Sequence, residues 1–71
     1  MKIGLYFGSF NPIHNGHLII AQHVLNETDL NQVWFVVSPQ NPFKQQKHLL
    51  TEYDRLHLVN LAIEKSTQLK A

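Results

Sequence analysis

Two short runs, Ile3 to Phe7 and Val33 to Val37, are apolar at odd and even positions alike, and one amphipathic stretch separates them. A strand with one wet face alternates; a strand apolar on both faces belongs inside a parallel sheet, covered on either side. Parallel neighbours need a crossover of a dozen or more residues, and Gly16 to Thr28 supplies one with helical spacing. On a helical wheel Ile20, Ala21, Val24, Leu25 and Thr28 share one arc, with Leu18 at its margin. Gln22, His23, Asn26 and Glu27 lie opposite, and only Ile19 falls out of place. Gly8 closes the first strand, and Asp29-Leu30-Asn31 breaks the helix before the second. Strand, helix and strand in this order predict a right-handed βαβ unit, the seed of an α/β fold.

The segment Ser38-Pro39-Gln40-Asn41-Pro42-Phe43 cannot extend the second strand, because its prolines remove ladder donors. The loop it opens runs to about Leu50, and long loops at a sheet's carboxyl edge are more often functional than idle. Thr51-Glu52-Tyr53-Asp54 then reads as a capping box with Asp in place of Glu, starting a second helix that runs to about Ser66. Leu56, Val59, Ala62 and Ile63 make its main apolar face, with Leu58 and Leu61 round the other side. That is more apolar surface than two strands can cover. Trp34, an aromatic in an apolar strand, is expected in the core.

A chain of 71 residues suits one small domain with a thin core. Its net charge of +1 gives no general affinity for nucleic acid, and the absence of cysteine removes disulfides and thiolate metal sites. No run is long enough to span a bilayer, and no basic segment leads into an apolar signal core. The expected setting is the cytoplasm, with neither membrane nor nucleic acid as partner.

The chemistry concentrates in Gly8-Ser9-Phe10-Asn11-Pro12-Ile13-His14-Asn15-Gly16-His17, which joins the first strand to the first helix. Backbone N–H groups at a helix start lack intrahelical partners and sit at the positive end of the dipole, so a phosphate is a natural guest. Gly8 and Gly16 allow close approach, Ser9 can donate, and His14 and His17 can donate ring N–H groups or, as imidazolium, add charge. A tight turn with incidental histidines remains the plain alternative. His14-x-x-His17 spacing also suits two metal ligands, but no third ligand stands nearby and His14 precedes the helix, so no metal is assigned.

These residues resemble the first signature, His/Thr-x-Gly-His, of the nucleotidyltransferase α/β-phosphodiesterase superfamily. Within it, the closest likeness is to the bacterial nicotinate mononucleotide adenylyltransferase family. Pro39-Gln40-Asn41-Pro42-Phe43-Lys44, Asp54-Arg55 and Leu58 to Ile63 extend the likeness along the chain. The resemblance implies a Rossmann-like doubly wound domain that moves AMP from ATP to nicotinate mononucleotide, giving nicotinate adenine dinucleotide and pyrophosphate. It implies that His14 and His17 are catalytic, holding ATP phosphates and steadying the transition state. Gly8, Ser9, Phe10, Gly16 and Lys44 would bind substrate or ATP, and Mg²⁺ would accompany pyrophosphate. Arg55 either pairs with Glu52 or reaches a phosphate. Lys47, His23, His48 and His57 are expected to be solvated.

The family's second signature, Ser-Ser-Thr-x-x-Arg, is missing from these residues. Residues 1–71 are therefore expected to be the amino-terminal βαβα half of the domain, nearly inactive alone. One side of the first strand and the outer leucines of the second helix would then lack cover, favouring self-association or pairing with the complementary half. Two other readings are a phosphopantetheine adenylyltransferase-like enzyme and a nucleotide-binding or assembly fragment without turnover.

Overall fold

The structure is a computed structural model that describes residues 1–39 and 50–71. Its elements are β1 (Ile3–Gly8), α1 (Asn15–Glu27), β2 (Gln32–Val37), α2 (Glu52–Ile63) and β3 (Leu69–Lys70). The strands are parallel in the order β1-β2-β3, with Tyr6 opposite Phe35 and Val33 opposite Leu69. This is the expected α/β class. The first three elements fall where apolar periodicity puts them, to within the fraying common at element ends.

One boundary and one element differ. Helix α2 was expected to reach Ser66 but stops at Ile63, because Ser66 turns the chain. The Ser66 N–H donates to the Ile63 carbonyl (2.9 Å), and the Ser66 hydroxyl accepts from the N–H groups of Gln68 (3.2 Å) and Leu69 (3.0 Å). The turn delivers Leu69 and Lys70 to the edge of β2 as β3, which the sequence reading lacks. A two-residue strand has no periodicity to detect and exists only through its pairing.

Val33 and Phe35 of β2 face one side of the sheet and carry the whole core. Ala21 and Leu25 of α1, Val59 and Ile63 of α2, and Leu69 of β3 pack with them. The core side of α2 is a line at i, i+4 and i+8, namely Arg55, Val59 and Ile63. Leu56 and Ala62, which the wheel placed on that face, are exposed, as is Leu61, while Leu58 is half-buried. The wheel is rotated because Arg55 goes inward, which apolar periodicity cannot anticipate.

Both helices pack on the Val33 and Phe35 face. On the opposite face Leu5 is 56% exposed, Phe7 66% and Trp34 42%. Trp34 is thus not a core residue; its Nε1–H donates to Gln32 Oε1 at 3.0 Å, and its ring lies on the uncovered side. Ile20, assigned to the buried arc of α1, is also exposed, beside an open apolar groove of about 280 Å³ that Leu5, Phe7 and Val24 help to line. Strand β1 stands at the sheet's edge, and among the described residues nothing pairs with its outer side. Among the same residues no helix is long and apolar enough to cross a membrane.

Candidate functional site

The loop between β1 and α1 opens at the carboxyl end of the sheet, where crossover connections in parallel sheets leave room for ligands. Phe10 takes a left-handed backbone conformation (φ 47°) and turns its ring into the core, where it is 1% exposed. A non-glycine residue holds that conformation only where its surroundings enforce it. The ring meets Tyr6 edge-on at 5.4 Å, Phe35 at 5.3 Å and His17 at 5.0 Å between centroids. Gly8 gives it space: a Cβ there would lie 3.0 Å from the Phe10 ring. The Asn11–Pro12 bond that follows is cis, and the Gly8 carbonyl accepts from the Ser38 N–H (2.9 Å), tying the loop to the end of β2.

His14 is the N-cap of α1, and the two histidines cap the helix reciprocally. Nδ1 of His14 accepts from the Gly16 N–H at 3.0 Å, and Nδ1 of His17 accepts from the His14 N–H at 3.0 Å. An imidazole nitrogen that accepts carries no proton, so each ring bears its hydrogen on Nε2. Neither Nε2 has a partner among the described residues. The rings lie 3.9 Å apart, His14 exposed and His17 half-buried against Tyr6 and Phe10. Each ring therefore keeps an Nε2–H donor and is polarised at Nδ1 by a helix N-terminal amide. The sequence anticipated that those amides would hold phosphate directly; the Gly16 amide instead holds His14.

Gly16 has a steric role rather than a left-handed one. A Cβ on it would fall 2.7 Å from Cε1 and 2.9 Å from Nδ1 of His14, so any side chain expels the ring from its cap.

Burial, and after it the charge of neighbouring His14, holds the His17 pKa below the ordinary 6.5. The unfolded chain thus takes up this proton at a higher pH than the folded one. The contribution of His17 to stability is complete above the unfolded value and is lost as pH falls through the folded one. Urea midpoints should drop from about pH 7 to about pH 5, and drop less in His17→Gln. A nuclear magnetic resonance titration of the His17 ring should have its midpoint below 6.5. A midpoint above that value would refute the capped, neutral ring.

The remaining site candidates divide. Gly8, Ser9, Phe10, His14, Gly16 and His17 are brought together in one loop. Phe10 is a buried platform whose ring meets His17. Arg55 is 1% exposed, with Nε donating to the Leu50 carbonyl (3.0 Å) and Nη1 to the Ser9 carbonyl (2.8 Å). Lys44, Lys47 and His48 lie outside the described residues. Sequence reasoning missed Tyr6 and Asn11. Tyr6 shares the core-facing register of β1 with Gly4 and Gly8, the signal that could have placed it under His17. Asn11 Oδ1 accepts from the Leu50 N–H at 2.8 Å, a contact 39 positions away with no local signature.

Residues 5–71 match the cytidylyltransferase-like family. The chain belongs to that family. It is 64% identical over 70 residues to a probable nicotinate-nucleotide adenylyltransferase of Flavobacterium psychrophilum, covering 99% of this chain and 36% of that relative. It is 52% identical over 63 residues to the protein of the same name in Bacteroides fragilis, covering 89% of this chain and 31% of that one. Among solved structures, Plasmodium falciparum nicotinic acid mononucleotide adenylyltransferase complexed with NaAD superposes with a TM-score of 0.74. That match covers 96% of this chain and 32% of the other at 24% identity, and shows a shared fold. The chain thus spans about a third of the length of these relatives. His14 and His17 stand at the start of α1, after the carboxyl end of β1.

Proposed function

We propose that residues 1–71 are the amino-terminal half of a nucleotidyltransferase domain whose whole polypeptide transfers AMP from ATP to nicotinate mononucleotide, releasing pyrophosphate and nicotinate adenine dinucleotide. The observation that carries this reading is the reciprocal capping of His14 and His17, which fixes both rings at Nδ1 and leaves an Nε2–H donor on each. The names of the relatives supply the acceptor.

In this reading the acceptor phosphate attacks the α-phosphorus in line, its oxygen forming the new P–O bond as pyrophosphate leaves. No group on the protein becomes covalently bound, so rate comes from position and from charge stabilisation. His14 and His17 donate to phosphate oxygens whose charge grows in the transition state, and their fixed tautomers need no rearrangement at that moment. Gly8 and Ser9 stay assigned to substrate or ATP on the loop that carries the histidines, Phe10 supports His17 from below, and Gly16 serves by leaving His14 in place. Lys44, which follows β2 in the sequence and lies outside the described residues, is assigned to substrate phosphate. Among the described residues no three His, Cys, Asp or Glu converge on a metal position. Mg²⁺ belongs to this reading as part of the ATP complex, held by phosphate oxygens, where it neutralises charge on the pyrophosphate. The cytoplasm is the compartment this reading assigns.

The test is pyrophosphate release by the polypeptide that carries these residues, with ATP and a panel of acceptors. Nicotinate mononucleotide should give the highest kcat/KM. Faster turnover with phosphopantetheine would move the protein to the alternative acceptor class, and no release with any acceptor would favour a binding fragment.

A further inference from the structure

Arg55 is a cation buried beneath the loop, and it donates to two main-chain carbonyls, neither of them that of Glu52. Its fork spans two segments: Nη1 holds the Ser9 carbonyl at 2.8 Å, and Nε holds the Leu50 carbonyl at 3.0 Å. The Leu50 N–H in turn donates to Asn11 Oδ1 at 2.8 Å. Three bonds therefore clamp residues 9 and 11 to the start of α2, with Phe10 between them. The third nitrogen, Nη2, is buried without a partner among the described residues. A buried guanidinium with an unmatched donor is costly, and a well-packed apolar residue would commonly be the more stable choice. Stability is a poor reason to place it there.

The clamp acts at the one residue with a left-handed backbone. Between the fixed Ser9 carbonyl and the fixed Asn11 side chain, Phe10 sits at φ 47° with its ring against His17 at 5.0 Å. His17 is bounded by Phe10 and Tyr6 below and by His14 beside it. A shift of Phe10 therefore re-aims the His17 ring.

We propose that Arg55 is a positioning residue for adenylyl transfer: it clamps the Ser9 and Leu50 carbonyls, and through Phe10 fixes the orientation of the His17 Nε2–H donor. This rests on the function proposed above. Arginine is required because a planar fork meets two carbonyls at once, whereas a lysine ammonium keeps the charge and stem but lacks that geometry.

The test compares Arg55→Lys with the wild type in the polypeptide that carries this chain, and reads three quantities. Far-UV circular dichroism should be unchanged. The kcat for pyrophosphate release should fall at least about tenfold, with KM for ATP within about threefold, since a misdirected donor harms the transition state more than the ground state. The His17 titration midpoint, followed by nuclear magnetic resonance, should rise toward 6.5 as Phe10 ceases to bury the ring. Arg55→Met should show the same changes or larger. A folded Arg55→Lys protein with either kcat or the His17 midpoint unchanged overturns the proposal. So does an unfolded one, since Arg55 would then serve stability alone. If the wild type transfers no adenylyl group, the proposed function falls, and the His17 midpoint alone decides whether Arg55 positions the ring.

Discussion

Replacing His17 with alanine is expected to cut the rate of adenylyl transfer about a hundredfold or more, with no measurable loss for His23→Ala. His17 offers its Nε2–H at the mouth of the loop, whereas His23 sits on the exposed side of the same helix. The size of the effect follows from preorganisation. In the proposed reaction, a donor held by its own cap and by Phe10 and Tyr6 needs no reorientation as charge develops, whereas a replacing water does. The substitution also removes half of the reciprocal cap, a loss of about 1 kcal/mol of helix stability. That is too little to unfold a stable domain and affects binding and catalysis alike. Steady-state kinetics of pyrophosphate release, with circular dichroism to show that both variants fold, separates the two contributions. Equal and small losses in the two variants would remove His17 from the mechanism.

Residues 1–71 in isolation are expected to self-associate and to be nearly inactive. Leu5, Phe7 and Trp34 lie together on the face of the sheet opposite the helices, and β1 presents an unpaired edge beside them. Fully burying a side chain of this size contributes about 1.5–3 kcal/mol, so covering three amounts to a large share of a small domain's stability. A parallel sheet with one bare face is an incomplete layer structure. The expected cover is a second copy of these residues. Sedimentation equilibrium should show oligomers that Leu5→Lys combined with Phe7→Lys disperses. A well-folded wild-type monomer with full turnover would show that 71 residues suffice.

Much of the fold was legible because its signals are local. The two doubly apolar runs and the wheel of α1 set three elements and their parallel pairing. Thr51 starts α2 by accepting from the Asp54 N–H at 3.1 Å, as the capping pattern indicates. The site was legible as a set of residues, since one uninterrupted loop carries Gly8 to His17. How they work was not. A reading by residue type gives histidines that donate N–H bonds or carry charge, a glycine that admits a nucleotide, and an arginine that pairs with Glu52 or reaches a phosphate. In the fold the histidines cap a helix, the glycine makes room for His14, and the arginine holds two carbonyls.

By itself the sequence determined which residues gather at the carboxyl end of the first strand, because neighbours in the chain stay neighbours in the loop. It determined the α/β class too, because periodicity is a property of consecutive residues. Only the tertiary structure decided that Trp34 faces outward, that Arg55 faces inward and that Leu69 joins the sheet. Each of those depends on what lies across a gap of many residues: an uncovered sheet face, the Ser9 carbonyl, the free edge of β2. Burial and hydrogen bonding are settled between segments that meet only on folding, and no local pattern records which will meet.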